Sequence, residues 1–142
     1  MEQLDYNFVL IDCPPSLGIT TINALAATKE IIIPLENGIF SKIGVNDLIR
    51  TITLVKKKFN KDLDVLGVLF NKVDDRTTLT QDTFKFLAEN FKNRLFNTVI
   101  HQSVKVGKAQ SQQKPVSYYD PACRATLEFE ELAREVLAYE EK

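Results

Sequence analysis

Three runs in this chain are apolar almost without interruption: "YNFVLID" (Tyr6 to Asp12), "EIIIPL" (Glu30 to Leu35) and "LDVLGVLFN" (Leu63 to Asn71). A strand with one wet face alternates apolar and polar residues, whereas a strand covered on both faces reads apolar throughout. "FNTVI" (Phe96 to Ile100) is a weaker fourth run. Helical patterns lie between them. Ser16 to about Thr28 reads as a helix capped by Ser16, with Ile19, Ile22, Leu25 and Ala26 sharing a face. Ser41 to Phe59 sets Val45, Leu48, Ile49, Ile52, Val55 and Phe59 at helical spacing. Thr80 to Phe91 forms a third helix with Phe84, Leu87 and Phe91 inward. A fourth, from about Pro121 to Tyr139, buries Ala125, Phe129, Leu132, Val136 and Leu137.

Strands alternating with helices predict an α/β fold, a mostly parallel sheet with helices on both faces and right-handed crossovers. The 142 residues contain no repeat, low-complexity tract or long linker, so a single domain over 1–142 is expected. Ligands of such sheets sit at the carboxyl ends of the strands, where Asp12, Asn71 and His101 would lie.

The formal charge of -1 rules out a global basic footprint, so any contact with nucleic acid has to come from a local patch. Cys13 and Cys123 are far apart and lack metal-ligand spacing; reduced thiols are expected, with one disulfide as the alternative. The acidic start "MEQLDYNF" has no apolar signal core, and no apolar run reaches membrane-spanning length. A cytoplasmic protein without membrane attachment is expected.

Asp12 ends its apolar run and is followed by Pro14 and Pro15, which fix the backbone and stop a strand. Ser16 and Gly18 then allow a helix to start at once. A carboxylate at that place suits a magnesium ion bound to phosphates, reached through the ion's water shell because magnesium gives up water reluctantly. The plain alternative is that Asp12 merely ends a strand.

The longer string "YNFVLIDCPPSLGITTINALAAT" resembles the Walker B segment and following helix of ParA/Soj-type partition ATPases, relatives of MinD. The resemblance continues through "IIIPLENGIFSKIGVNDLIRTITLVKKKFNKDLDVLGVLFNKVDDRTTLT" and "FNTVIHQSVKVGKAQSQQKPVSYYDPACRATLEFEELAREVL", so nearly the whole chain is covered. The Walker B match and the "DPACRA" ending are its more specific parts. It implies part of a P-loop NTPase-like sheet that uses ATP and Mg2+. It further implies a nucleotide-dependent homodimer, nonspecific DNA binding, a ParB-like partner that stimulates hydrolysis, and a nucleoid-associated role in chromosome or plasmid partition. The family's Gly-rich phosphate loop with its signature lysine has no counterpart here: Gly18, Gly38, Gly44, Gly67 and Gly107 are scattered. Without that nest of amides the chain is expected to hold only half of a phosphate site and to be hydrolytically inactive alone. A non-enzymatic DNA- or partner-binding fragment is the alternative.

"NKVD" (Asn71 to Asp74) matches the guanine-reading motif of GTPases, with "SVK" (Ser103 to Lys105) after the next strand. A GTP-binding variant using Asn71 and Asp74 is therefore one reading; adenine, with Asn71 as the base-site residue, is what the resemblance implies. The bland reading of Asp74 and Asp75 is a solvated turn. The resemblance also implies DNA contacts from Arg76, in "DDRTTL", and from Lys105, in "HQSVK", where lysine keeps phosphate attraction but lacks the planar fork of arginine. Lys108 and Lys114 either extend that patch or are ordinary surface lysines. His101 stands where resembling proteins usually have proline, and no chemistry is assigned to it. "VKKKF" (Val55 to Phe59) reads as the wet end of an amphipathic helix rather than a nucleic-acid motif. The acidic ending "YEEK" argues against a basic membrane-surface helix. "DCPP" only partly matches the D-P-P-aromatic motif of amino-methyltransferases, since Cys13 splits it and no aromatic follows.

Overall fold

A computed structural model describes the backbone of residues 6–36 and 42–140 and the side chains of residues 6–36 and 46–139. Three strands, β1 (Glu30–Glu36), β2 (Asp64–Val73) and β3 (Leu95–His101), form one sheet in the order β1-β2-β3. Both pairings are parallel, as uniformly apolar runs require. Parallel neighbours need long crossovers, supplied by α2 (Lys42–Lys58) between β1 and β2 and by α3 (Thr78–Asn90) between β2 and β3. A further helix, α1 (Ile19–Ala27), precedes β1. After β3 come α4 (Val104–Ser111), the single turn α5 (Val116–Tyr119) and α6 (Arg124–Glu140).

The central strand explains the two-layer core. Residues 67 to 70 of β2 are all buried, because both faces of the strand are covered. Val68 and Phe70 join Leu25 of α1, Ile52 and Val55 of α2 and Leu87 of α3 in one cluster. Leu69 points the other way and joins Phe96 and Ile100 of β3, packed beneath Leu132, Val136 and Tyr139 of α6. Gly67 is required there: a methyl group at its Cα would fall onto the Phe96 ring. That ring in turn meets Tyr139 edge-on, with centroids 5.8 Å apart.

The amino end of the sheet is tied by polar contacts. Asp64 accepts from Lys56 (3.3 Å) and Arg94 (3.0 Å), and Arg94 also donates to the Val65 carbonyl. The hydrogen bond from Arg94 is the main reason the Asp64 carboxyl titrates below its ordinary range. The Asn60 amide donates to the carbonyls of Leu25 and Thr28, joining the α2–β2 turn to the end of α1.

Several expectations need correcting. "YNFVLID" forms no strand: Tyr6 to Gly18 are all exposed, and Leu10 retains 89% of its accessible surface. A strand exists only where a neighbour completes its ladder, and no described segment lies beside this run to do so. Helix α1 is capped by Gly18 rather than Ser16. It buries Thr21 and Leu25 while leaving Ile19 exposed, so its inward face is rotated from the expected one. The Ser16 carbonyl instead accepts from the Thr21 hydroxyl at 2.6 Å. Ile49, Phe59, Phe84, Phe129 and Leu137, expected inward, are exposed. Helices α4 and α5 were not foreseen, and the expected inward placement of Val45 lies outside the described side chains. The three lysines of "VKKKF" are exposed on the last turn of α2.

Helix α6 closes the free edge of β3 with carboxylates. Glu135 accepts from the backbone N–H groups of Asn97 (2.8 Å) and Thr98 (2.9 Å), from the Thr98 hydroxyl and from the Asn97 amide. Burial opposes its ionisation, but these hydrogen bonds outweigh burial and hold its carboxyl below the ordinary range. Two helical turns earlier, Glu128 accepts from the His101 N–H at 2.8 Å. The N–H groups of Asn97, Thr98 and His101, which an edge strand would otherwise present as free donors, are thus met by carboxylates of α6.

Candidate functional site

The carboxyl ends of β2 and β3 lead into two loops, residues 73–77 and 101–105, of which residues 73–76 and 101–104 line one cavity of about 470 Å³. Val73, Asp74, Asp75 and Arg76 form one wall, His101, Gln102, Ser103 and Val104 another, and Arg124 of α6 reaches in. The local sequence builds each wall. Pairing slips between Phe70 and Val73, placing a bulge at the end of β2 where Lys72 takes φ 51°. Such a bulge re-aims side chains at the rim of a sheet. The Lys72 ammonium meets Glu36 at 2.6 Å, at the carboxyl end of β1. Asn71 lies opposite Glu36 in the β1–β2 register and is half-buried.

The first loop is a closed turn. Asp74 accepts from the backbone N–H of Arg76 at 3.1 Å, an aspartate turn of a common kind. The Asp74 carbonyl accepts from the hydroxyls of Thr77 (3.2 Å) and Thr80 (2.6 Å), and the Thr77 side chain caps α3 by accepting from the Thr80 N–H. Both nitrogens of one edge of the Arg76 guanidinium then meet the Asp74 carboxylate, at 2.8 and 2.7 Å. The side-chain hydrogen bond from Arg76 is the chief cause that lowers the Asp74 carboxyl to about 2.

The other loop starts α4. Ser103 caps it by accepting from the Lys105 N–H at 3.2 Å. The Lys105 ammonium pairs with Asp120, at the end of α5, at 2.8 Å. That contact holds the Asp120 carboxyl below, and the Lys105 ammonium above, their ordinary values.

His101 joins the two loops to α6. Its Nδ1 is 2.6 Å from Glu128 and its Nε2 is 3.1 Å from Asp75. Glu128, only 8% exposed, also accepts from Arg124 Nε at 2.7 Å, and Arg124 approaches Asp75 at 3.7 Å. Proline at this position would lack the N–H that His101 donates to Glu128. Sequence reasoning assigns His101 no chemistry and misses Asp75, Arg124, Glu128 and Glu135. A signal for the glutamates exists: Ala125, Glu128, Leu132, Glu135 and Tyr139 recur at alternating spacings of three and four, one helix face that includes two carboxylates.

Asn71, Asp74, Arg76 and Lys105 therefore all belong to the carboxyl-end rim. Asp12 stands apart on the exposed segment before α1, and no described hydrogen bond or ion pair links it to that rim. A single carboxylate supplies at most two of the six oxygen ligands that magnesium with a nucleotide takes, the rest coming from phosphate and water. Among the described residues there is no group of three or more His, Cys, Asp or Glu side chains that could hold a metal ion. By themselves these residues do not fit a complete nucleotide–magnesium site.

Known proteins place this arrangement. A family model described as an AAA domain matches residues 2–65. The chain is 42% identical over 133 residues to the chromosome-partitioning ATPase Soj of Treponema pallidum, covering 94% of this chain and 53% of that protein. It is 38% identical to the sporulation initiation inhibitor protein Soj of Bacillus subtilis, again over 94% of this chain and 53% of the relative. Against the chromosome partitioning protein ParA of Caulobacter vibrioides it is 37% identical, over 95% of this chain and 51% of that one. Among solved structures, cobyrinic acid a,c-diamide synthase of Mycobacterium smegmatis, with an ATP analogue and magnesium bound, superposes with a TM-score of 0.58 at 36% identity. That match covers 65% of this chain and 37% of the synthase. The chain spans about half the length of the curated relatives it matches. Over nearly all of its length it belongs with the ParA/Soj family of chromosome-partitioning ATPases.

Proposed function

We propose that this chain serves a partition system, chromosomal or plasmid, as a nonspecific DNA-binding module of the ParA type. The observation that carries the proposal is the meeting of residues 73–76 and 101–104 at one rim, with Arg76 among them and Lys105 next in the chain, on the first turn of α4. Both cations are at least half exposed, and a duplex backbone recognises charge at such a surface without reading sequence. The reading places the chain in the cytoplasm at the nucleoid. Among the described residues, no helix is long and apolar enough to cross a membrane. Dimerisation on ATP and stimulation by a ParB-like partner belong to the same reading. They require a phosphate-binding loop acting with Asp12, which would supply the carboxylate facing a hydrated magnesium ion, and Asn71 beside the base. Guanine recognition through Asp74 is disfavoured, since both of its carboxylate oxygens are already engaged by Arg76.

Two measurements test this function. Fluorescence anisotropy with a labelled random-sequence duplex should show binding that weakens steeply with salt and is lost in the Arg76→Glu/Lys105→Glu variant. Unchanged affinity in that variant would refute the patch. The chain alone should show no steady ATP turnover; turnover that Asp12→Ala abolishes would contradict the half-site reading.

A further inference from the structure

We infer that Asp74 and Asp120 act as built-in competitors of DNA, each occupying a cation that a backbone phosphate would otherwise take. The inference rests on the DNA-binding reading above and adds to it a restraint on affinity.

The geometry is specific. Asp74 meets the Arg76 guanidinium edge-on through two nitrogens, the same paired arrangement by which arginine grips a phosphate. The carboxylate is not a mobile visitor, because the Arg76 N–H, and Thr77 and Thr80 through the Asp74 carbonyl, fix the turn around it. Asp120 holds Lys105 at 2.8 Å, and its own carbonyl accepts from Thr126 Oγ1 (2.8 Å) and the Cys123 N–H (3.2 Å). Both acids are thus positioned by contacts that do not depend on the cation they hold.

The wider rim is balanced in the same sense. Arg76, Lys105 and Arg124 face Asp74, Asp75, Asp120 and Glu128, so carboxylates outnumber the permanent cations. A phosphate approaching this surface must displace a carboxylate at each contact and meets little net attraction from a distance. DNA binding by this chain is therefore weak at rest, and anything that draws Asp74 or Asp120 away from its partner strengthens it.

The test uses Asp74→Asn/Asp120→Asn, whose amide oxygens can still accept the backbone hydrogen bonds of both turns. Anisotropy with the same random-sequence duplex at low salt should show about threefold to twentyfold tighter binding than the unaltered chain, as expected for removing two exposed ion pairs. The gain should shrink as salt is raised. Asp62→Asn, just before β2 at the opposite end of the sheet, serves as the control for bulk charge. Equal tightening by Asp62→Asn, or no tightening by the double variant, overturns the competitor role. If Arg76→Glu/Lys105→Glu weakens binding in that same assay, the patch survives and only the competitor role falls. If that variant binds as the unaltered chain does, both fall together. Thermal melts of all variants establish that each is folded when its affinity is read.

Discussion

The segment from Tyr6 to Gly18 and the rim formed by residues 73–77 and 101–105 are opposites. The segment carries the strongest family motif in the chain, yet every residue in it is exposed and none lies in a strand. The rim is built from short, ordinary loop sequence, yet nearly every polar group in it has a named partner. A motif records what chemistry a residue is for; a hydrogen-bonded network records what holds it in place. "YNFVLID" needs strands alongside it, and no described segment supplies one. The rim draws its partners from β2, β3 and the helices α3 to α6, all of which are described.

The sharpest way to break this comparison is to truncate matched leucines. Leu87→Ala, at a fully buried position in the last turn of α3, should cost about 2–5 kcal/mol. Leu10→Ala should change stability by no more than about 0.5 kcal/mol, as for surface sites. Chemical denaturation of both variants decides the matter, and a large cost at Leu10 would mean that the segment is docked after all.

Next in size is the clamp on β3. Glu135→Ala should destabilise by about 1–3 kcal/mol, because it leaves the Asn97 and Thr98 N–H groups without their carboxylate. The sign of its pH dependence follows from the lowered carboxyl. Its contribution is complete above the unfolded carboxyl value and is lost as pH falls through the folded one. The stability difference between Glu135→Ala and the unaltered chain should therefore narrow on acidification. A difference that stays constant down to acid pH would remove the clamp.

The smallest effect sharpens the rim itself. Carboxyl carbon NMR should place the Asp74 midpoint near 2, and Arg76→Gln should return it toward 3.8. The ion pair persists above that midpoint and is lost only as pH falls through about 2. An Asp74 midpoint near 3.8 in the unaltered chain would show that the fork is not formed in solution.

Much of the fold was legible because it rests on local periodicity. The runs at Glu30, Leu63 and Phe96 became β1, β2 and β3, and the long helices fell where spacing put them, within a few residues. What escaped depended on neighbours. The run at Tyr6 has strand composition but no ladder. Hydrophobicity alone would turn Phe129 and Leu137 inward, yet both are exposed, and α6 turns Glu128 and Glu135 toward β3 because that edge offers N–H donors. Of the site, Arg76 and Lys105 were visible through family resemblance, but their pairing with Asp74 and Asp120 was not. A sequence shows charges, and only the fold shows which carboxylate lies beside which cation. His101 likewise has no evident role until β3 and the β2–α3 loop set it between Glu128 and Asp75.

The most direct test of the account is an amide NMR titration of the chain with a short random-sequence duplex at low salt. We predict shifts confined to residues 74–77 and 101–108, with the amides of Phe8 to Asp12 unmoved. Shifts centred on Phe8 to Asp12, or on the amino end around Asp62 to Asp64, would contradict it.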